Sequence, residues 1–242
     1  MSTWATRLRG PWWAFALALA FAGIGVKAGF WQLDRAGEKR ELLSRFDAGS
    51  AAAANLQLVA DAEAPALHYE RLRLTGRYDS NHQVLLDNLS YQGRPGYQVL
   101  TPLSTSGGTV LVNRGWVPAN GNRTVLPDIQ VGDQAREVTG RIDWLPRPGI
   151  ELTTATPPKD APWPRRLLFP ASKQIGTQLD LPLRNYQLLL DPAAADGYVR
   201  DWRPAGIGPD RHVAYAVQWF GLALTVIVIY LVLARKNGRK AA

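Results

Sequence analysis

The sequence predicts a membrane protein in which two transmembrane α-helices flank an exported, mainly antiparallel β domain, sheet-like or barrel-like, with one short helix. Three observations predict it. Apolar runs lie near both ends: Pro11 to Leu33, whose only charge is Lys27, and Val213 to Leu233, which carries no charge. Each is long enough for a bilayer core, which takes about 20 apolar residues. Between the runs the apolar period changes from helical to two, the signature of half-buried strands. The charge is also uneven: residues 34–211 hold 21 Lys/Arg against all 20 Asp/Glu, a net of +1 in a chain of net +8.

The elements are expected in this order. Residues 1–10 form a cytoplasmic N-terminus with Arg7 and Arg9. Residues 11–33 form the first span, where the flexible stem of Lys27 lets its ammonium reach the interface. A basic start before an apolar run also describes a cleaved signal peptide. The passage through Phe30-Trp31 straight into a helical pattern favours a retained span. Residues 34–66 are a helical connector, in which Leu33, Ala36, Leu42, Leu43 and Phe46 recur near helical spacing. Residues 67–203 are the exported β-rich domain. Its strands are expected at Tyr69–Tyr78, Gln83–Asn88, Tyr97–Leu103, Thr109–Val117 and Glu137–Trp144, with turns at Gly93–Gly96 and Ser106–Gly108. Pro146 to Pro164 holds six of the 17 prolines and reads as a loop. A short strand at Leu167–Phe169, a helix from Pro170 to Leu179 and a last strand at Asn185–Asp191 follow. Residues 204–211 are a tether, closing a Gly/Pro/Trp-rich run that begins at Gly197. Residues 212–233 form the second span and 234–242 a basic cytoplasmic tail.

Six of the seven basic residues outside 34–211 lie at the chain ends. The positive-inside rule then puts both termini in the cytoplasm and 34–211 on the far side, the periplasm of a bacterial cell with the protein in its inner membrane. The basic balance is thus a topology signal, and no nucleic-acid footprint is expected. With no Cys and a single Met at position 1, disulfides, thiol catalysis, iron–sulfur clusters and soft copper sites are excluded on ligand grounds. Three dispersed His residues, His68, His82 and His212, argue against a zinc site.

No phosphate loop, nucleophile elbow or metalloprotease helix is present, so no catalytic residue is assigned; an exported hydrolase on a two-span anchor is the reading from another class. Two stretches carry chemistry. In Asn113-Arg114-Gly115-Trp116-Val117-Pro118, Gly115 suits a bulge and Trp116 a core cap, while Arg114 has the fork to hold a carboxylate at the domain edge; both readings stay open. At the start of the second span, His212, Tyr215, Ala216 and Trp219 fall at i, i+3, i+4 and i+7, on one helical stripe. An interfacial aromatic belt accounts for Tyr215 and Trp219 but less well for His212.

Four segments in order resemble the Surfeit locus protein 1 family: Gly29-Phe30-Trp31-Gln32-Leu33-Asp34-Arg35 with Glu38-Lys39, Gly96-Tyr97-Gln98-Val99-Leu100-Thr101-Pro102-Leu103, Val112-Asn113-Arg114-Gly115-Trp116-Val117-Pro118, and Arg211 to Phe220. With the two-span layout, the resemblance covers nearly the whole chain. It implies a non-enzymatic assembly factor for haem-copper (cytochrome c) oxidase, working with the oxidase large subunit and with haem a synthase. It also implies that haem a is the cofactor, with His212 as ligand to the haem iron and Tyr215, Gln218 and Trp219 lining the site. The alternative within the family is a membrane scaffold for the nascent subunit that binds no haem. Neutral imidazole and aromatic neighbours suit an amphipathic macrocycle at a span boundary.

Overall fold

The computed structural model describes residues 11–48, 58–147, 157–204 and 206–240, and the chain divides into two units. The first comprises two long helices, described below as a pair. The second, from Arg45 to Arg203, is a β domain.

Helix α1 runs from Trp12 to Ala48 and α3 from Pro209 to Lys240. Pro11 stands just outside α1 and its carbonyl accepts the first helical amides, a position where the missing N–H of proline costs nothing. Pro209 begins α3 for the same reason, and Asp210 in its first turn complements the helix dipole. Both helices are long and apolar enough to cross a membrane. At 1.5 Å per residue α1 extends about 55 Å, well beyond a hydrocarbon core of about 30 Å, and its charged half from Asp34 onward is the excess.

The β domain contains β1 (Arg71–Tyr78), β2 (Val84–Tyr91), β3 (Arg94–Thr105), β4 (Gly108–Pro118), β5 (Arg136–Asp143), β6 (Arg165–Leu167) and β7 (Leu183–Leu190), with helix α2 (Ser172–Leu179) between the last two strands. Their order is β1-β5-β7-β4-β3-β2-β6, and an additional β1–β3 pairing closes a barrel. Closure depends on β3, the longest strand. Its first half pairs with β2, and its last residues, Leu103 to Thr105, pair with Tyr78 to Gly76 of β1. The barrel is mainly antiparallel, as the sequence predicts, but β4–β7 and β2–β6 are parallel. Alternation puts Leu72, Leu74, Tyr78, Val138, Ile142, Tyr186, Leu188 and Leu190 in the interior. Leu58, Val59 and Ala64, which precede the first strand, fill the same core. A second cluster beneath α2 joins Ile175 to Leu86, Leu100 and Leu111. This is why β4 is buried on both faces.

Three local expectations change. The β2–β3 turn is at Gln92 and Gly93, both with positive φ, and Arg94-Pro95 already belong to β3. Pro95 is tolerated there because its carbonyl, accepting from Ala119 N–H, is the group the pairing uses. Helix α2 begins at Ser172, so Pro170 precedes it instead of opening it. The run from Gly197 is not free from its start: Tyr198 N–H donates to Arg114 O, Trp116 and Val199 exchange backbone bonds, and Trp202 Nε1–H donates to Leu190 O. Residues 148–156 of the Pro146–Pro164 loop and residues 49–57 of the 34–66 connector lie outside the described residues.

Gly115 confirms the bulge. Across the β3–β4 ladder, Gln98 pairs with Trp116 and Leu100 with Asn113, so β4 carries one extra residue. Gly115 has φ +109°, and a Cβ there would meet the Val199 carbonyl at 2.7 Å.

Candidate functional site at the helix pair

The helix pair is held together by what its facing residues lack. On α1, Ala22, Gly25, Gly29 and Ala36 are buried, and on α3 Ala216, Ala223 and Ala234. A Cβ on Gly29 would come 2.5 Å from the Phe220 ring, and one on Gly25 would come 3.0 Å from the Ala223 Cβ. Between lipid-exposed helices there is no hydrophobic drive, so small residues that admit close backbone approach carry the association. Phe15 against Tyr230 and Phe30 against Phe220 extend the seam. Residue numbers fall along α1 as they rise along α3, so the two helices are antiparallel.

At one end of this seam His212 Nδ1–H donates to Gln32 Oε1 at 2.7 Å. Both side chains are half-buried, and Ala216, one turn further along α3, is closed off. The stripe expected from sequence opens out around this pair. Trp219 lies about 20° around α3 from His212 and Tyr215 about 60°, by 3.6 residues per turn. They are 37% and 41% exposed, both to the same side of the histidine on the outer surface of α3. Gln218 falls about 120° from His212 and is exposed, away from the seam. The structure therefore brings His212 together with Gln32, puts Tyr215 and Trp219 on the same side of α3 as His212, and turns Gln218 elsewhere. Gln32 was missed as a site residue by sequence reasoning. Its signal was its place as the one strongly polar residue between Ala28 and Leu33.

The barrel residues that invite a functional reading are engaged structurally. Arg114 is buried; its Nη1–H donates to Gln83 Oε1 and Ile129 O, its Nε–H to Asp196 O, and the guanidinium lies over the Tyr198 ring. That occupancy removes the carboxylate-clamp reading. Trp116 is buried, with its indole donating to Leu89 O, as a core cap. His68 pairs with Asp143 at 2.9 Å and stacks on Tyr69, and His82 pairs with Asp79 at 2.7 Å. Among the described residues no group of three or more His, Cys, Asp or Glu is placed to hold a metal ion. The donor set at the helix pair is a single imidazole among aromatic rings, which fits axial ligation of a porphyrin iron and does not fit a dedicated ion site.

The sequence of this chain is similar to known proteins over most of its length. The SURF1 family model matches residues 19–224, from within α1 to within α3, and so includes Gln32, the whole barrel and His212 to Trp219. A SURF1-like protein of Rickettsia conorii is 30% identical over 226 residues, covering 88% of each chain. One of Monosiga brevicollis is 24% identical over 257 residues, covering 96% of this chain and 90% of its own. Surfeit locus protein 1 of Takifugu rubripes is 26% identical over 149 residues, covering 53% of this chain and 59% of its own. Such coverage by one family model and by relatives in bacteria and eukaryotes leaves one conclusion: the chain belongs to the SURF1 family, known as a family of cytochrome oxidase assembly factors and not of enzymes.

Proposed function

We propose that this protein assists assembly of cytochrome c oxidase by holding haem a at the His212 end of its helix pair, for insertion into the oxidase large subunit. One observation carries the reading: His212 sits in the seam with Nδ1 engaged by Gln32, which leaves Nε2 as the lone-pair nitrogen of the ring. Metal-bound histidines ordinarily hold their second nitrogen in such a bond. Tyr215 and Trp219 are exposed on the same side of α3 as His212 and offer aromatic faces for a macrocycle, and haem, when bound, supplies the iron that the imidazole meets. Gln218, on another face of α3, is not part of the proposed site. In this reading the partners are the large subunit and haem a synthase, the protein lies in the inner membrane, and residues 34–211 are periplasmic.

The test is His212→Ala in protein co-expressed with haem a synthesis. The variant should insert and fold normally but lose most of its haem, read as the Soret band of detergent-purified protein. An unshifted Soret band at full stoichiometry would remove His212 as the ligand. Reporter fusions at Ala66 and Ala242 check the orientation; a periplasm-only reporter active at Ala242 would reverse it. The scaffold reading has its own support, because Tyr215 and Trp219 face outward where a partner helix would meet them. It becomes the better account if wild-type protein carries no haem.

A further inference from the structure

We infer that Gln32 is a positioning residue that selects the tautomer of His212, holding the proton on Nδ1 and thereby directing Nε2 toward iron. The inference rests on the reading of His212 as the haem ligand, but it concerns a property of the protein that exists without haem. A neutral imidazole carries one N–H, and which nitrogen bears it is set by the bond the ring makes. Here the partner is an amide oxygen 2.7 Å from Nδ1, an acceptor, so Nδ1 is the donor. The two residues are 180 positions apart in sequence and on different helices, so the bond exists only when the pair is assembled.

The seam sets that distance. Gly29, one turn from Gln32, lies against the Phe220 ring, and Gly25 lies against Ala223; larger residues at either would push α1 from α3. The glycines therefore fix the gap across which Gln32 reaches. Within an apolar seam water competes poorly for either group, and a hydrogen bond of the strength found between membrane helices biases the tautomer ratio on the order of tenfold. A second ring nitrogen held in this way also fixes the orientation of the imidazole plane, which an unanchored boundary histidine lacks.

The experiment is nitrogen NMR on full-length, ¹⁵N-histidine-labelled protein in detergent without haem, with the His212 signals assigned by their loss in His212→Ala. Wild type should show Nδ1 protonated and Nε2 bare. Gln32→Met, of similar length but with no acceptor, should shift His212 toward the opposite tautomer. Gln32→Glu, which keeps an acceptor oxygen, should retain the wild-type form. In the haem-loaded series, Gln32→Met should lower haem occupancy about tenfold at limiting haem and shift the Soret band, while Gln32→Glu should load normally. The inference is overturned if wild type has Nε2 protonated, if Gln32→Met leaves the tautomer unchanged, or if Gln32→Glu behaves like Gln32→Met. Should the tautomer respond as expected while no variant, wild type included, takes haem, the role of Gln32 stands and the haem reading alone falls.

Discussion

The helix pair and the barrel solve packing in opposite ways. In the pair the large apolar side chains point out: Trp12 is 81% exposed and Val217 65%, while glycines and alanines face one another across the seam. In the barrel the large chains point in, and Tyr97, Tyr186, Leu103 and Ile142 are fully buried. A bilayer supplies outward apolar contact for nothing, so the pair must gain its specificity from close approach and from few polar groups. A barrel in water gains stability from apolar burial and must satisfy whatever polar groups it encloses. It does so for most of them in two groups: Gln83, Thr101 and Arg114 bond one another and nearby carbonyls, and Asn113 and Gln187 do the same. The same residue type thus means different things in the two regions. A buried arginine in the barrel is architecture, whereas a histidine–glutamine pair between membrane helices is a candidate site.

Glycine substitutions break this comparison most sharply. At Gly96 of β3 a Cβ would overlap the Val117 carbonyl and the Trp116 indole, neither of which can move without opening the β3–β4 ladder. Gly96→Ala should therefore cost roughly 3 kcal/mol or more and deplete folded protein. At Gly23, in the middle of α1, nothing lies within 4 Å. Gly23→Ala should leave yield and thermal midpoint unchanged or slightly raised, since alanine is the better helix former. Thermal melts of the two variants in the same detergent decide the matter; equal losses would mean that α1 is packed on that face as well.

How much of this was legible follows from range. The period-two strands, the two long apolar helices, the Gly115 bulge and the Trp116 cap are local patterns or single-residue preferences, and they appear at or within a few residues of where the sequence puts them. The turn at Gln92-Gly93 was placed too late because Pro95 looked like a breaker. Its tolerance depends on which of its backbone groups faces β4, and that is a property of the ladder. Barrel closure by β1–β3 was not readable either, since it turns on one long strand pairing with different partners along its length. Arg114 was ambiguous because a guanidinium serves a carboxylate or three carbonyls equally well until the fold supplies one or the other. The pairing of Gln32 was unreadable for the plainest reason: its partner is on the other helix, and nothing in the spacing of either helix specifies that they meet at 32 and 212.

The smallest effect expected is the most discriminating, because it separates two buried tyrosines that look alike. Burial pushes the phenols of Tyr78 and Tyr186 up to about 12 from an ordinary 10; beside Tyr78, Asp196 adds to the shift, and Arg114, Arg136 and Arg200 oppose it. Below pH 10 both phenols are protonated in the folded and the unfolded chain, so their contribution is fully present. Between pH 10 and about 12 the unfolded chain gives up protons that the barrel retains, so the unfolded state binds fewer and stability falls as pH rises. The β signal in circular dichroism should thus be lost in that window, while the helical signal from the spans persists. At neutral pH the two hydroxyls differ. Tyr186 donates to Val59 O at 2.9 Å, whereas the buried Tyr78 hydroxyl has no hydrogen-bond partner among the described residues. Tyr186→Phe should lower stability by about 1 kcal/mol at pH 7, the net worth of such a bond. Tyr78→Phe should cost nothing at pH 7. Both variants should flatten the alkaline limb. If Tyr78→Phe instead destabilises the barrel at neutral pH, its hydroxyl has a partner in solution, and the interior is wetter there than the packing implies.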